Sequence, residues 1–98
     1  MSVAENNEVI VTHSETARRG VFRIGQGAEM TYTRPGLNVM KVNHTEVDKK
    51  HRGRGLAHQM YRAMVAFARA HQRKVIAVCP FVVALFDQNP QDRDVLVS

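Results

Sequence analysis

The chain reads as an α+β protein. A mixed sheet of about five strands, four antiparallel and then a β-α-β crossover, carries one long and one short helix. Three observations predict this. Short alternating segments separated by turn residues fill the first half. The stretch 39–80 reads as strand, basic glycine turn, amphipathic helix and buried strand. Beyond Pro80 lie one further helical run and a tail. Ninety-eight residues make a single domain, 1–98, with one modest core.

In chain order, Met1–Asn7 is polar and reads as a disordered lead-in without a signal peptide. Val9-Ile10-Val11 is a short β-type run, and Ser14–Gly20 a polar connection with room for one helical turn at most. Val21–Ile24 is the next strand, turned by Gly25-Gln26-Gly27. Ala28, Met30 and Tyr32 alternate with Glu29, Thr31 and Thr33, as a half-buried strand requires. Arg34-Pro35-Gly36 turns the chain again.

Leu37–Val47 is the long strand. Its alternation slips at Val39-Met40, which predicts a β-bulge nearby; after the slip, Met40, Val42 and His44 share one face. Asp48–Gly53 is loop. Leu56, Met60, Met64, Phe67 and His71 recur at three- and four-residue steps, with Ala57, Tyr61 and Ala68 beside them, so 56–71 is an amphipathic helix. The continuous apolar run Val75–Val78 suits a strand covered on both faces. Pro80 opens a short helix that Asn89-Pro90 stops, and Gln91–Ser98 adds a little extended structure.

The formal charge of +5 points toward an anionic partner, and Lys49, Lys50, Arg52 and Arg54 concentrate it before the long helix. One cysteine rules out an internal disulfide and a cysteine-based zinc site. No apolar run approaches the ~20 residues that span a bilayer. A cytoplasmic protein, a monomer or weak homodimer without a membrane partner, fits these facts.

Chemistry concentrates in three places. Arg52-Gly53-Arg54-Gly55-Leu56-Ala57 puts two glycines before a helix whose first N–H groups have no internal partner. That is an anion site suited to phosphate or pyrophosphate. It is not a Walker A loop, since no Gly-Lys-Ser/Thr follows. Cys79 ends a parallel strand, where open α/β sheets place ligands, and precedes a helix N-terminus, which favours the thiolate. Without that context a lone cysteine is ordinarily a small buried hydrophobe. His44 lies near the end of the strand joined to that of Cys79, and adjacent parallel strands make such ends neighbours. A histidine there is a candidate base, with Glu46 a further one on the same side as His44. His13, His51, His58 and His71 show no ligand spacing, and no metal site is expected.

The glycine turn resembles the R/Q-x-x-G-x-G/A signature of the GNAT superfamily of acetyl-CoA-dependent N-acetyltransferases. The chain is similar to a very short single-domain branch, with H-T-E-V before the turn (His44–Val47) and C-P-Y/F after the helix (Cys79-Pro80-Phe81). The likeness runs from about Phe22 to Leu96. It implies a minimal GNAT fold in which splayed fourth and fifth strands open a cleft for acetyl-CoA or CoA. It implies that Arg52, Gly53 and the backbone N–H groups of Arg54, Gly55, Leu56 and Ala57 hold the pyrophosphate, and that Glu46-Val47 runs beside the pantetheine arm. It also implies Cys79 as the active-site residue. Lys49, Lys50 and Arg52 are charge-matched to the adenosine phosphates.

The chain departs from the branch at Phe81, which lacks a tyrosine hydroxyl, and at Asn89-Pro90-Gln91-Asp92, where the branch commonly has a histidine before the proline and an aromatic after it. Asn89 is a candidate hydrogen-bond partner of pantetheine or acceptor. The activity implied is acetyl transfer to an amine, such as a protein lysine or a polyamine. His44 or Glu46 would take the amine proton. Cys79 would be either the acid for the leaving thiolate or a transient acetyl carrier. Helices that wall the acceptor pocket in longer GNAT enzymes have no room in Ser14–Gly20, so the acceptor side is expected to be open. Two rivals remain: a non-catalytic CoA-binding module, and a nucleic-acid-binding domain. The latter is disfavoured because no stacking aromatics surround the basic loop.

Overall fold

A computed structural model describes residues 10–97. Among the described residues, five strands form one sheet in sequence order: β1 (Thr12–Glu15), β2 (Arg19–Ile24), β3 (Ala28–Gly36), β4 (Val39–Val47) and β5 (Lys74–Ala77). The first four pair antiparallel and β5 runs parallel to β4. The crossover carries α1 (Leu56–Ala70), and α2 (Pro80–Gln88) follows β5. This is the α+β arrangement expected from the sequence.

Alternation decides which face is buried. Phe22, Ala28, Met30, Tyr32, Met40 and Val42 turn to one side and meet Met60, Tyr61, Met64, Val65 and Ala68 of α1 in a single cluster. Four methionines in that cluster are fully buried, and their unbranched side chains fit the irregular space between a twisted sheet and one helix. The other face carries Arg19, Val21, Arg23, Glu29, Thr31, Thr33, Lys41, His44 and Glu46, and among the described residues no helix covers it. The β1–β2 connection, Thr16–Arg18, is too short to supply one.

The first strand lies later than its apolar residues suggest. Ile10 and Val11 are outside it, and Val9 lies outside the described residues. Pairing with β2 selects Thr12–Glu15 instead, because that register puts His13 and Glu15 on the buried side. His13 stacks on Phe22 at 4.2 Å and meets the edge of Phe67 at 4.3 Å. Ser14, Glu15, Arg19 and Gly20, expected in a connection, are strand residues. The strand β3 also continues through Arg34-Pro35-Gly36, so the turn falls at Leu37-Asn38.

One row across the sheet explains this register. Glu15 pairs with Gly20, and Gly20 with Tyr32. The Tyr32 ring crosses Gly20 so closely that a Cβ there would sit 2.3 Å from it. Its hydroxyl donates to Glu15 Oε2 at 2.7 Å and meets His13 Nε2 at 2.6 Å. Arg73, just after α1, forks onto both Glu15 oxygens, and Arg34 Nη1 lies 3.3 Å from Oε1. The Arg73 hydrogen bond is the main cause that holds the Glu15 carboxyl down at about 2, against a burial effect in the other direction. Burial and the Glu15 carboxylate push the Tyr32 phenol above its usual range.

The tail forms a 3-10 segment, Pro90–Val95, where extended chain was expected; extended pairing returns only at Leu96, bridged to Val75. Asp92 and Val95 are buried there. Tyr61 donates to Asp92 Oδ2 at 2.7 Å, and Arg69 Nη2 reaches Asp94 Oδ1 at 2.7 Å, clamping the tail to α1.

Candidate functional site

The strands β4 and β5 part where chemistry was expected. Parallel pairing runs from Val39↔Lys74 to Val42↔Ala77 and stops. The N–H groups of Val78 and Cys79 both donate to Val42 O at 3.1 Å. The chain then enters α2 while β4 continues through Val47. The last part of β4 therefore borders a cleft instead of a strand.

Two adjoining hollows of about 270 Å³ each occupy this cleft. One is lined by Thr45, Glu46, Val47, Arg52, Ala57 and Phe81. The other lies over the glycine turn and the start of α1 and shares Val47, Arg52, Ala57 and Phe81 with it. Arg52 Nε donates to Val47 O at 3.2 Å, tying the turn to the strand end. The turn itself is a 3-10 turn (Lys49–His51) followed by Gly53 and Gly55, both at positive φ (84° and 73°). Their α-carbons face open space.

Gly55 is the N-cap of α1, and no side chain caps the helix; its first turn contains no acidic residue. Among the described residues, the N–H groups of Arg54, Gly55, Leu56 and Ala57 have no protein partner. A helix start that is uncapped, unshielded and flanked by Arg52 and Arg54 has the chemistry to take an anion.

Cys79 is the N-cap residue of α2 and is buried. Its Sγ lies 3.4 Å from Thr45 Oγ1. The N–H groups of Phe81 and Val82 face the sulfur without closing a cap hydrogen bond. Burial pushes the thiol up, but Thr45 and these N–H groups outweigh it, leaving the thiol below its ordinary value.

The pairing of β3 with β4 is irregular twice: beside the apolar slip Arg34 and Pro35 of β3 stand opposite Met40 alone, and a second bulge lies further along β4. Tyr32 pairs with Val42 and Thr31 with His44, so Asn43 is the extra residue. It reverses the facing of everything after it. Thr45 and Val47 now lie opposite Met30 and Ala28 on the inner side, whereas His44 and Glu46 lie opposite Thr31 and Glu29 on the open face. The expectation that His44 shares a face with Met40 and Val42 is thus corrected: the two strand ends are neighbours, but Thr45 and not His44 turns toward Cys79. His44 and Glu46 do share a side, with Nε2 and Oε1 3.5 Å apart and both exposed. Glu46 also lines the first hollow.

Asn89 lines neither hollow. It ends α2, about 15 Å along the helix from Cys79 at 1.5 Å per residue, and its amide donates to Leu85 O at 2.7 Å. Sequence reasoning missed Thr45, whose position depends on the bulge. It treated Phe81 only as a lost hydroxyl, although Phe81 walls both hollows.

Residues 19–95 match the family described as GCN5-related N-acetyl-transferase. The chain belongs to that family. The fold agrees: a GCN5-like protein from Staphylococcus aureus, solved by NMR, superposes with a TM-score of 0.67 at 24% identity, covering 96% of this chain and 91% of that one. No curated protein matches the sequence. Proteins of this superfamily typically bind CoA-type ligands.

Proposed function

We propose that the chain binds acetyl-CoA along the cleft between β4, the glycine turn and α2, and transfers the acetyl group to an amine. The observation that supports it most is the uncapped start of α1, with its two open glycines, at the mouth of hollows that continue along the unpaired end of β4. Arg52, Gly53 and the N–H groups of Arg54, Gly55, Leu56 and Ala57 would hold the pyrophosphate. The edge of β4 at Glu46-Val47 would receive the amide-bearing arm by main-chain hydrogen bonding. The substrate brings an acetyl group activated as a thioester.

The chain's residues then have to take a proton from the attacking amine and stabilise or protonate the departing sulfur. Glu46, which borders the first hollow while its side chain faces the open side of the sheet, would be the proton acceptor through water; His44, 3.5 Å from it, is the next. Cys79, the N-cap residue of α2 with Thr45 Oγ1 3.4 Å from its sulfur, would serve as the acetyl carrier, attacking the acetyl carbon as the thiolate. In that route the Sγ–acetyl bond forms as the bond to the CoA sulfur breaks, and the electron pair leaves on that sulfur. The amine next displaces Sγ and loses its proton, through water, to Glu46. The uncovered sheet face suits a bulky acceptor such as a protein lysine or a polyamine.

One observation favours a second reading, a CoA-binding module without transfer: Cys79 is only 5% exposed. Incubation with acetyl-CoA followed by intact-mass analysis separates the two. Acetyl transfer predicts an adduct that Cys79→Ala abolishes, together with turnover on an amine. CoA-dependent thermal stabilisation with neither adduct nor turnover would establish the module instead. Ligand at about 100 times its Kd should add ~2.7 kcal/mol of stability, and no stabilisation at millimolar ligand would rule out both.

A further inference from the structure

We propose that Thr45 is the positioning residue for Cys79, its hydroxyl fixing the buried sulfur just behind the wall of the cleft. This rests on the reading of Cys79 as the acetyl carrier. Three features of the fold converge on it. The extra residue at Asn43 turns Thr45, and not His44, toward the inner side of the sheet. Thr45 Oγ1 lies 3.4 Å from Cys79 Sγ. The same threonine lines the hollow into which β4 opens beyond its last pairing with β5. Thr45 is therefore the polar side chain that touches both the thiol and the cleft.

A hydroxyl suits this position because it works in both protonation states. The neutral thiol donates to Oγ1. Once the proton leaves, the hydroxyl rotates and donates to the sulfur, reinforcing the N–H groups of Phe81 and Val82. No other titratable group on the surrounding elements takes this part. On β4, His44 and Glu46 face the opposite side of the sheet. Arg52 in the turn is engaged with Val47 O, and His58 of α1 lies edge-on to Tyr61. Asp87 is in the last turn of α2, away from the cap, and Asp92 is bonded to Tyr61. Among the described residues, none of these is hydrogen-bonded to Sγ.

The test is the pH profile of Cys79 alkylation by iodoacetamide in the folded, full-length protein, with no CoA present. Thr45→Val keeps the side-chain shape and removes the hydroxyl. It should move the midpoint of the profile up and slow alkylation at pH 7 roughly tenfold, the worth of one hydrogen bond to a charged group. Thr45→Ser should restore the profile, and His44→Ala should leave it where it is. Thermal melting of each variant checks that the fold persists. A Thr45→Val profile that coincides with the wild type overturns the proposal, as does one that moves with His44→Ala, or a wild-type thiol that does not react until the protein unfolds. Failure of the carrier reading is seen separately, as the absence of an acetyl adduct with acetyl-CoA while the alkylation profile still depends on Thr45.

Discussion

Replacing Glu15 by glutamine should convert an acid-sensitive clamp into a pH-independent one. Glu15 receives Arg73 on both oxygens, Arg34 on one and the Tyr32 hydroxyl on the other. These contacts join β1, β3 and the loop after α1. They hold the carboxyl at about 2 instead of the ordinary 4.5. At about 1.4 kcal/mol per tenfold in an equilibrium, a displacement of that size corresponds to about 3 kcal/mol of stability. The side chain is 19% exposed, so screening by solvent lowers the expectation to about 2 kcal/mol. The sign comes from a folded-state value below the unfolded one. The stabilisation is fully present above pH ~4.5 and disappears as the pH falls toward 2. Urea denaturation of wild type and Glu15→Gln, monitored by circular dichroism at pH 7, 4 and 2.5, measures the gap directly. It should be about 2 kcal/mol at pH 7 and narrow steadily below pH 4.5. A gap of the same size at pH 2.5 would refute the electrostatic account and leave shape as the cause.

Gly20→Ala should destabilise the fold by about 1–3 kcal/mol, read as a lowered Tm, because the added Cβ would meet a Tyr32 ring that is 1% exposed and fixed at both ends. Gly20→Ala should cost less when made in a Tyr32→Val background than in the wild type, as a double-mutant cycle would read. Tyr61→Phe should cost about 1–3 kcal/mol in chemical denaturation, since it leaves the buried Asp92 carboxylate without its 2.7 Å partner. Gly55→Val should weaken CoA binding by at least about tenfold in calorimetry, since a β-branched residue both resists a φ of 73° and fills the space before the helix. Glu46→Gln should lower amine acetylation more than His44→Ala does in a steady-state assay, with CoA affinity changed little in either.

Much of this was legible in the sequence because it is local. The period of α1, Pro80 at the start of α2 and the glycine turn are each specified within a few residues. The strand β4 and the idea of a bulge were also readable, from two adjacent apolar residues. The second bulge, at Asn43, was not, because β3 sets the register: Tyr32 claims Val42 and Thr31 claims His44. That single residue decides whether a histidine or a threonine faces the cysteine. The start of the sheet departs from expectation for a similar reason. Ile10 and Val11 have the stronger β propensity, yet the His13 ring packing and the Glu15 ion pairs are worth more than propensity and draw the strand later along the chain. Asp92 was invisible as a core residue because its partners, Tyr61 and Arg69, lie on another element.

The most direct test of the cofactor site is a titration of isotope-labelled protein with CoA, read amide by amide in NMR spectra. Saturable shifts concentrated on the N–H groups of Arg54, Gly55, Leu56 and Ala57, with smaller ones along Thr45–Val47, are the predicted result. Saturable shifts centred on the open sheet face at Val21, Thr31 and His44, or no shifts at millimolar CoA, would contradict it.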